Sequence, residues 1–157
     1  MIYLQNYYRE RVSQVAYDLF AVFSRFEYAM KKGGFRRDGS ADAAWQKFAN
    51  SLPLETFLRL RASPEAAIYF DSPPDRLVVD GESVRWSGQV RAPENSVELL
   101  ECIKVARNNL FHGDKRHNNR RDNDLMAAAL FILNHIYEAI EQDPKFRFFV
   151  DAMEYGL

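Results

Sequence analysis

Apolar residues recur at steps of three and four along much of this chain, which is the spacing that lines one face of an α-helix. The first such stretch covers residues 8–30 and predicts one long amphipathic helix that ends at Gly33-Gly34. Ser40 is a suitable N-cap for a shorter helix, and Pro53 is a suitable first residue for the next one. The first part of the chain is therefore predicted to be helical.

Two short apolar stretches then flank the sequence DGES, after a proline-rich break. A two-residue turn at the centre of DGES pairs Val79 with Val84 and Leu77 with Trp86 on one face. We therefore expect a small β-hairpin around residues 77–86.

The helical spacing returns in the C-terminal half of the chain. Residues 96–112 and 122–141 predict two long helices, separated by the polar loop GDKRHNNRRDN. Pro144 ends the second helix, and the aromatic tail beyond it predicts a short last helix that docks on the others. We expect an all-α fold, a helical bundle with one small β-hairpin insertion, forming a single domain over residues 1–157.

Composition and charge narrow the classes of function. The 157 residues are 47% apolar and 27% charged, and the net charge is -1, so no global field attracts nucleic acid or membrane. A single cysteine, Cys102, excludes an internal disulfide and is typical of a reducing compartment. The longest unbroken apolar run, residues 127–133, is far below the ~18 residues of a membrane span. We expect a cytoplasmic protein with no membrane partner.

An arginine occupies a position in the 96–112 helix where an apolar residue is expected. On a helical wheel, Arg107 falls among the apolar residues of that helix, which are Leu99, Leu100, Ile103, Ala106, Leu110 and Phe111. A buried guanidinium is costly unless it is paired, so the sequence implies a compensating partner or a wet interface. The adjacent flank of the helix carries Asn108, Glu101 and His112. With Arg107 they place an amide, a carboxylate, an imidazole and a guanidinium near the C-terminal end of the helix.

A structural explanation of the same residues stays open. His112-Gly113 is also typical of an ordinary helix end, with a cation in the last turn and a glycine after it. Arg107 could form a structural ion pair with Glu27, which lies at the edge of the apolar face of the first long helix.

The segment Arg107-Asn108-Asn109-Leu110-Phe111-His112 resembles the R-x(4-6)-H motif of the HEPN superfamily, including the polar residue that commonly follows the arginine. The motif closes one long predicted helix, and another long helix follows directly. The stretches RFEYAMKKGGF and VVDGESVRW also resemble segments of some HEPN families. The resemblance implies a HEPN-like helical bundle.

Many HEPN proteins are metal-independent endoribonucleases that act as dimers, and the resemblance implies the same here. Arg107 would hold the scissile phosphate, His112 would exchange protons with the 2′-OH or the leaving 5′ oxygen, and Asn108 would orient one of them. Cleavage would leave a 2′,3′-cyclic phosphate and a 5′-OH. The implied partners are an RNA substrate and a second copy of the chain, with an antitoxin as a further partner if the protein is a toxin or phage-defence effector.

Two short segments concentrate positive charge, and one of them follows His112. Lys115, Arg116, Arg120 and Arg121 are therefore candidate substrate-binding residues, although a solvated loop would have the same composition. The other segment, residues 31–37, holds four more cations. We expect Glu27, Glu101 and Lys104 to support the site.

No recognised metal-ligand spacing is present, because His112, Asp114 and His117 lack a second cluster to complete a site. We therefore expect neither a metal nor a cofactor. Two other functions remain open: a non-catalytic HEPN-like protein-interaction module, and a helical nucleic-acid binder without chemistry.

Overall fold

Helices dominate the computed structural model, which describes residues 1–88, 90–111 and 119–155. In these ranges the α-helices are α1 (Leu4–Arg9), α2 (Gln14–Lys32), α3 (Trp45–Ser51), α4 (Leu54–Ala62), α5 (Ile68–Asp71), α6 (Ser96–Phe111), α7 (Arg120–Ile140) and α8 (Arg147–Glu154). Two strands, β1 (Leu77–Asp80) and β2 (Ser83–Trp86), form the sheet of the described residues, and short 3-10 turns cover Pro64–Ala66 and Pro144–Phe146. The predicted fold class, mostly α-helical with a small hairpin, is confirmed.

The predicted helix over residues 8–30 is wrong at its start. The chain forms α1 first, breaks, and starts again at α2, with Ser13 as the N-cap. The Ser13 hydroxyl accepts a hydrogen bond from the Ala16 backbone N–H, 3.4 Å away. This local bond offers the backbone an alternative to continuing the helix, and apolar spacing does not reveal it.

The predicted N-cap at Ser40 is also wrong. Helix α3 starts five residues later, after Ala44. The Ser40 hydroxyl instead accepts from the Asp42 N–H at 3.0 Å, and the Ala44 N–H donates to the Phe35 carbonyl at 2.8 Å. A turn tied across residues 35–44 therefore delays the helix. Pro53 is the N-cap of α4, one position outside its predicted place as the first helical residue, and Gly33 ends α2 as predicted.

The two long C-terminal helices match their predicted ranges to within two residues, α7 starting at Arg120 and ending at Ile140. Asn119 is the N-cap of α7, where its side-chain oxygen accepts from the Asp122 N–H at 2.9 Å. Its amide nitrogen donates back to the Asp122 carboxylate, 2.5 Å away. The Asn119 side chain thus satisfies one backbone N–H of the first turn, and its bond to the carboxylate holds it in place.

Helix α2 packs on both α7 and α8 around one buried cluster. Phe26, Phe48 and Phe149 are its centre, with ring centroids 4.8 to 6.2 Å apart. A Cβ at Gly33 would lie 3.1 Å from the Phe149 Cβ, so this glycine permits the close approach of α8 to the end of α2. The predicted docking of the aromatic tail is thereby confirmed.

The hairpin has the predicted register, since Leu77 pairs with Trp86 and Val79 pairs with Val84. It projects from the bundle, because Val79 and Val84 are 80% and 60% exposed.

In the described ranges, the helices that form are too short or too polar to span a lipid bilayer.

Candidate functional site

Arg107 lies just before the last turn of α6 and is half-buried. Its guanidinium carbon lies 5.2 Å from the centroid of the Phe23 ring on α2. Its Nη1 donates a hydrogen bond to the Asn108 side-chain oxygen at 3.1 Å. The aromatic face is an apolar surface that also attracts a cation, which explains how a guanidinium can lie beside the core.

Phe23 is itself fixed by a buried tryptophan. The Trp45 ring stacks on it with centroids 4.7 Å apart, and both residues are buried. Trp45 Nε1 donates to the Glu27 carboxylate at 3.1 Å. The ion pair between Glu27 and Arg107 that the sequence left open is not among the ion pairs of the described residues. Glu27 instead contacts this cluster through its hydrogen bond with Trp45.

Glu101 and Lys104 lie on the same side of α6 as Asn108, about two turns and one turn before it. The Glu101 carboxylate is 3.3 Å from Lys104 Nζ and 3.6 Å from the Arg76 guanidinium. All three side chains line an open cavity of about 740 Å³ between α3, α6 and the segment after the hairpin. Lys104 lies one helical turn before Arg107, so the cavity opens next to the candidate site.

The two asparagines after Arg107 have different surroundings. Asn108 is exposed and accepts from Arg107, whereas Asn109 is 8% exposed. The Asn109 amide donates to the Asp75 carbonyl at 2.7 Å and so ties α6 to the segment before the hairpin. The sequence pattern did not reveal the burial of Asn109, since that burial comes from the contact of α6 with the segment before the hairpin.

The candidate substrate-binding arginines at the start of α7 also differ. Arg121 donates to the Ser72 hydroxyl at 2.9 Å and to the Ser72 and Pro73 carbonyls at 3.0 and 3.3 Å. It therefore holds the end of α5. The Arg120 side chain is 96% exposed, and its Nε lies 3.9 Å from the Asp124 carboxylate.

The remaining candidates, His112, Lys115 and Arg116, lie outside the described residues, as do Asp114 and His117. The structure therefore brings together Arg107, Asn108, Phe23, Trp45 and Glu27. It places Glu101 and Lys104 on the neighbouring cavity.

A buried carboxylate near the end of α6 was missed by sequence analysis. Asp122 is 7% exposed and borders a small cavity with Asn109 and Leu110. The spacing of Asn119 and Asp122 is that of a helix cap, which is the signal that could have identified it. Its position links the start of α7 to the last turns of α6.

Within the described residues, no group of three histidine, cysteine or acidic side chains is arranged to hold a metal ion. Cys102 is buried, and burial raises the pKa of its thiol to about 11. A thiol in that environment stays protonated at neutral pH and is a poor nucleophile.

Comparisons of this chain with protein-family models, with curated proteins and with solved structures gave no match.

Proposed function

We propose that the protein is a metal-independent endoribonuclease of the HEPN type. The observation that carries this proposal is the position of Arg107, half-buried on the Phe23 ring at the end of α6 and five residues before His112. A guanidinium held against an apolar surface, with its Nη1 bonded to Asn108, is a preorganised donor for a phosphate.

The proposed chemistry uses the 2′-OH of the RNA as the nucleophile. The 2′ oxygen loses its proton to a base and attacks the adjacent phosphorus, and the 5′ oxygen leaves as a hydroxyl after it receives a proton. His112 takes part in these proton transfers, since an imidazole with a pKa near 6.5 can accept and donate protons at neutral pH. Arg107 stabilises the charge that develops on the phosphate oxygens.

A homodimer is part of this proposal, and an exposed apolar surface supports it. None of the residues of α1 is buried, and the exposed aromatic residues continue onto α2. We define this N-terminal face by exposed large residues of the two helices, which are Leu4, Tyr7, Tyr8, Tyr17 and Phe20. Ile2 and Tyr3, just before α1, are also exposed, so large apolar and aromatic side chains follow one another along this part of the chain.

The proposal is tested by incubating the purified protein with total RNA in the presence of EDTA. We expect cleavage by the wild-type protein and a loss of about 10² to 10⁴ in rate for His112→Ala. The matched control is His117→Ala, which removes a histidine from the same segment and should cut like the wild type. Equal cutting by wild type and His112→Ala would contradict the proposal.

The product ends and the sugar requirement give an independent check. The downstream fragments should accept a 5′ label from polynucleotide kinase without prior phosphatase treatment, because they carry a 5′-OH. An oligodeoxynucleotide of the same sequence should stay intact, because it has no 2′-OH nucleophile.

A protein-interaction module without catalysis is the second candidate, and the same N-terminal face favours it. Large exposed apolar patches mark interaction sites in folded proteins. The two candidates differ in what they expect of Arg107→Ala. An enzyme should stay folded and lose activity, whereas a structural role for Arg107 predicts a large decrease in Tm.

A further inference from the structure

Besides Arg91, five cations from four separate segments line two adjoining cavities beside the candidate site. The larger cavity is the one of about 740 Å³, and its neighbour of about 530 Å³ shares Arg37, Asp38 and Lys47 with it. We name this feature the basic groove and define it by its cations, which are Arg36, Arg37, Lys47, Arg76 and Lys104.

The basic groove has an excess of positive charge, although the whole chain has a net charge of -1. Two carboxylates accompany its five cations. Asp38 is 2.7 Å from Lys47 Nζ, and this hydrogen bond lowers the pKa of the Asp38 carboxyl. Glu101 is shared by Arg76 and Lys104. Three positive charges therefore remain uncompensated in the groove. Arg91, which also lines the larger cavity, is balanced by Glu94 and Glu98.

The basic groove lies next to the arginine of the candidate site. Lys104 and Arg107 lie one turn apart on α6. Trp45 lines the larger cavity and stacks on Phe23, whose ring supports the Arg107 guanidinium. Val90, Pro93 and Val97 also line the larger cavity and make part of its wall apolar.

We propose that the basic groove binds the sugar-phosphate backbone of an RNA single strand on one side of the phosphate held by Arg107. This inference rests on the proposed function for the identity of the ligand. A positively charged groove that follows the backbone is the common feature of proteins that bind single strands without sequence preference. The flanking phosphates bind Arg37, Arg76 and Lys104, and affinity therefore depends on salt.

The test is the binding of a fluorescein-labelled 2′-O-methyl oligoribonucleotide of about twelve nucleotides, measured by fluorescence anisotropy over a range of NaCl concentrations. This probe has no 2′-OH nucleophile and cannot be cleaved by the proposed chemistry. The variant is Arg37→Ala combined with Arg76→Ala. The matched control is Arg59→Ala combined with Arg147→Ala, which removes the same charge from exposed positions on α4 and α8.

We expect the groove variant to bind at least about tenfold more weakly at low salt, and the slope of log Kd against log salt to fall by about 1.4, since each lost phosphate contact removes about 0.7. The control should change affinity by less than about twofold. The inference is overturned if the groove variant binds like the control or if the wild-type protein does not bind the probe. Equal competition by polyglutamate and polyuridylate at matched charge would also overturn it and would indicate an acidic protein partner.

Cleavage kinetics separate a failure of this inference from a failure of the proposed function. The groove variant should raise KM for a long RNA by a much larger factor than KM for a dinucleotide, which spans only the Arg107 phosphate. If the KM of the groove variant for the long RNA is unchanged, the groove proposal is contradicted and the ribonuclease proposal stands. If the wild-type protein binds the probe through the groove but cleaves no RNA, the ribonuclease proposal is contradicted and the groove proposal stands.

Discussion

The Arg107 guanidinium of α6 lies over the Phe23 ring of α2, 5.2 Å from its centroid. Such a contact contributes about 0.5–1 kcal/mol at a partly exposed position. The Phe23 ring and the hydrogen bond to Asn108 together also limit the orientations that the planar guanidinium can adopt.

Phe23→Leu should therefore reduce RNA cleavage as well as stability. We expect a loss of about 1–2 kcal/mol in the free energy of unfolding, since the change removes ring atoms from the core. We also expect about a tenfold loss in kcat, because Arg107 loses the surface that positions it. Urea denaturation and single-turnover cleavage measure the two effects.

Phe26→Leu is the matched control, since Phe26 is equally buried on the same helix and lies against Trp45. It should lower stability by a similar amount and leave kcat close to the wild-type value. Equal losses of kcat in both variants would indicate that Phe23 acts only through the stability of the core.

The adjacent asparagines should separate structure from function. Asn109→Ala leaves the Asp75 carbonyl without its side-chain donor and should lower the free energy of unfolding by about 1–3 kcal/mol. Asn108→Ala removes an exposed side chain and should change stability by less than about 0.5 kcal/mol, while it lowers the rate of RNA cleavage. Thermal unfolding and cleavage of both variants test this, and a reversed order of the two stabilities would refute the assignment.

Arg121 and Arg120 form a second adjacent pair. Arg121→Ala removes the hydrogen bonds to Ser72 and Pro73 and should destabilise the protein by about 1 kcal/mol. The loss is small for three hydrogen bonds because the Arg121 side chain is exposed to solvent. Arg120→Ala should leave the free energy of unfolding within about 0.5 kcal/mol of the wild-type value. The measurement is chemical denaturation, followed by RNA binding for any variant that stays folded. Equal stability of the two variants would show that the contacts of Arg121 do not hold the end of α5.

Tyr137 should give the stability a dependence on alkaline pH. Its hydroxyl donates to the Glu154 carboxylate at 2.5 Å, and this hydrogen bond, with a smaller effect of burial, raises the pKa of Tyr137 to about 12. In the unfolded chain a tyrosine has a pKa of about 10, so the unfolded state loses its proton first as the pH rises. The contribution of Tyr137 is therefore complete below about pH 10 and is lost as the pH rises through about 12.

Unfolding free energies of the wild type and Tyr137→Phe at about pH 9 and about pH 12 measure this contribution as a difference. The advantage of the wild type should be present at the lower pH and should decrease at the higher one. Glu154→Ala should remove most of the pH dependence, since it removes the hydrogen-bond acceptor. A constant difference across this range would contradict the assignment.

Local features of the sequence were enough to predict most of the secondary structure. The stop at Gly33, the turn that sets the Val79–Val84 pairing and the ranges of α6 and α7 depend on residues within a few positions of each other. The predictions failed at Ser13 and Ser40, where side-chain hydrogen bonds with nearby backbone N–H groups decide the start of a helix. Apolar spacing is insensitive to such bonds.

The sequence by itself determined that Arg107 stands on the apolar side of its helix and that a histidine follows five residues later. Only the tertiary structure decided that Phe23 supports Arg107, that Glu27 bonds Trp45, and that Asn109 rather than Asn108 is buried. The basic groove likewise exists only after α3, α6 and the segments around them have packed together. The physical reason is that helical periodicity fixes which face a residue occupies, whereas the partner across that face comes from a distant part of the chain and is chosen by packing.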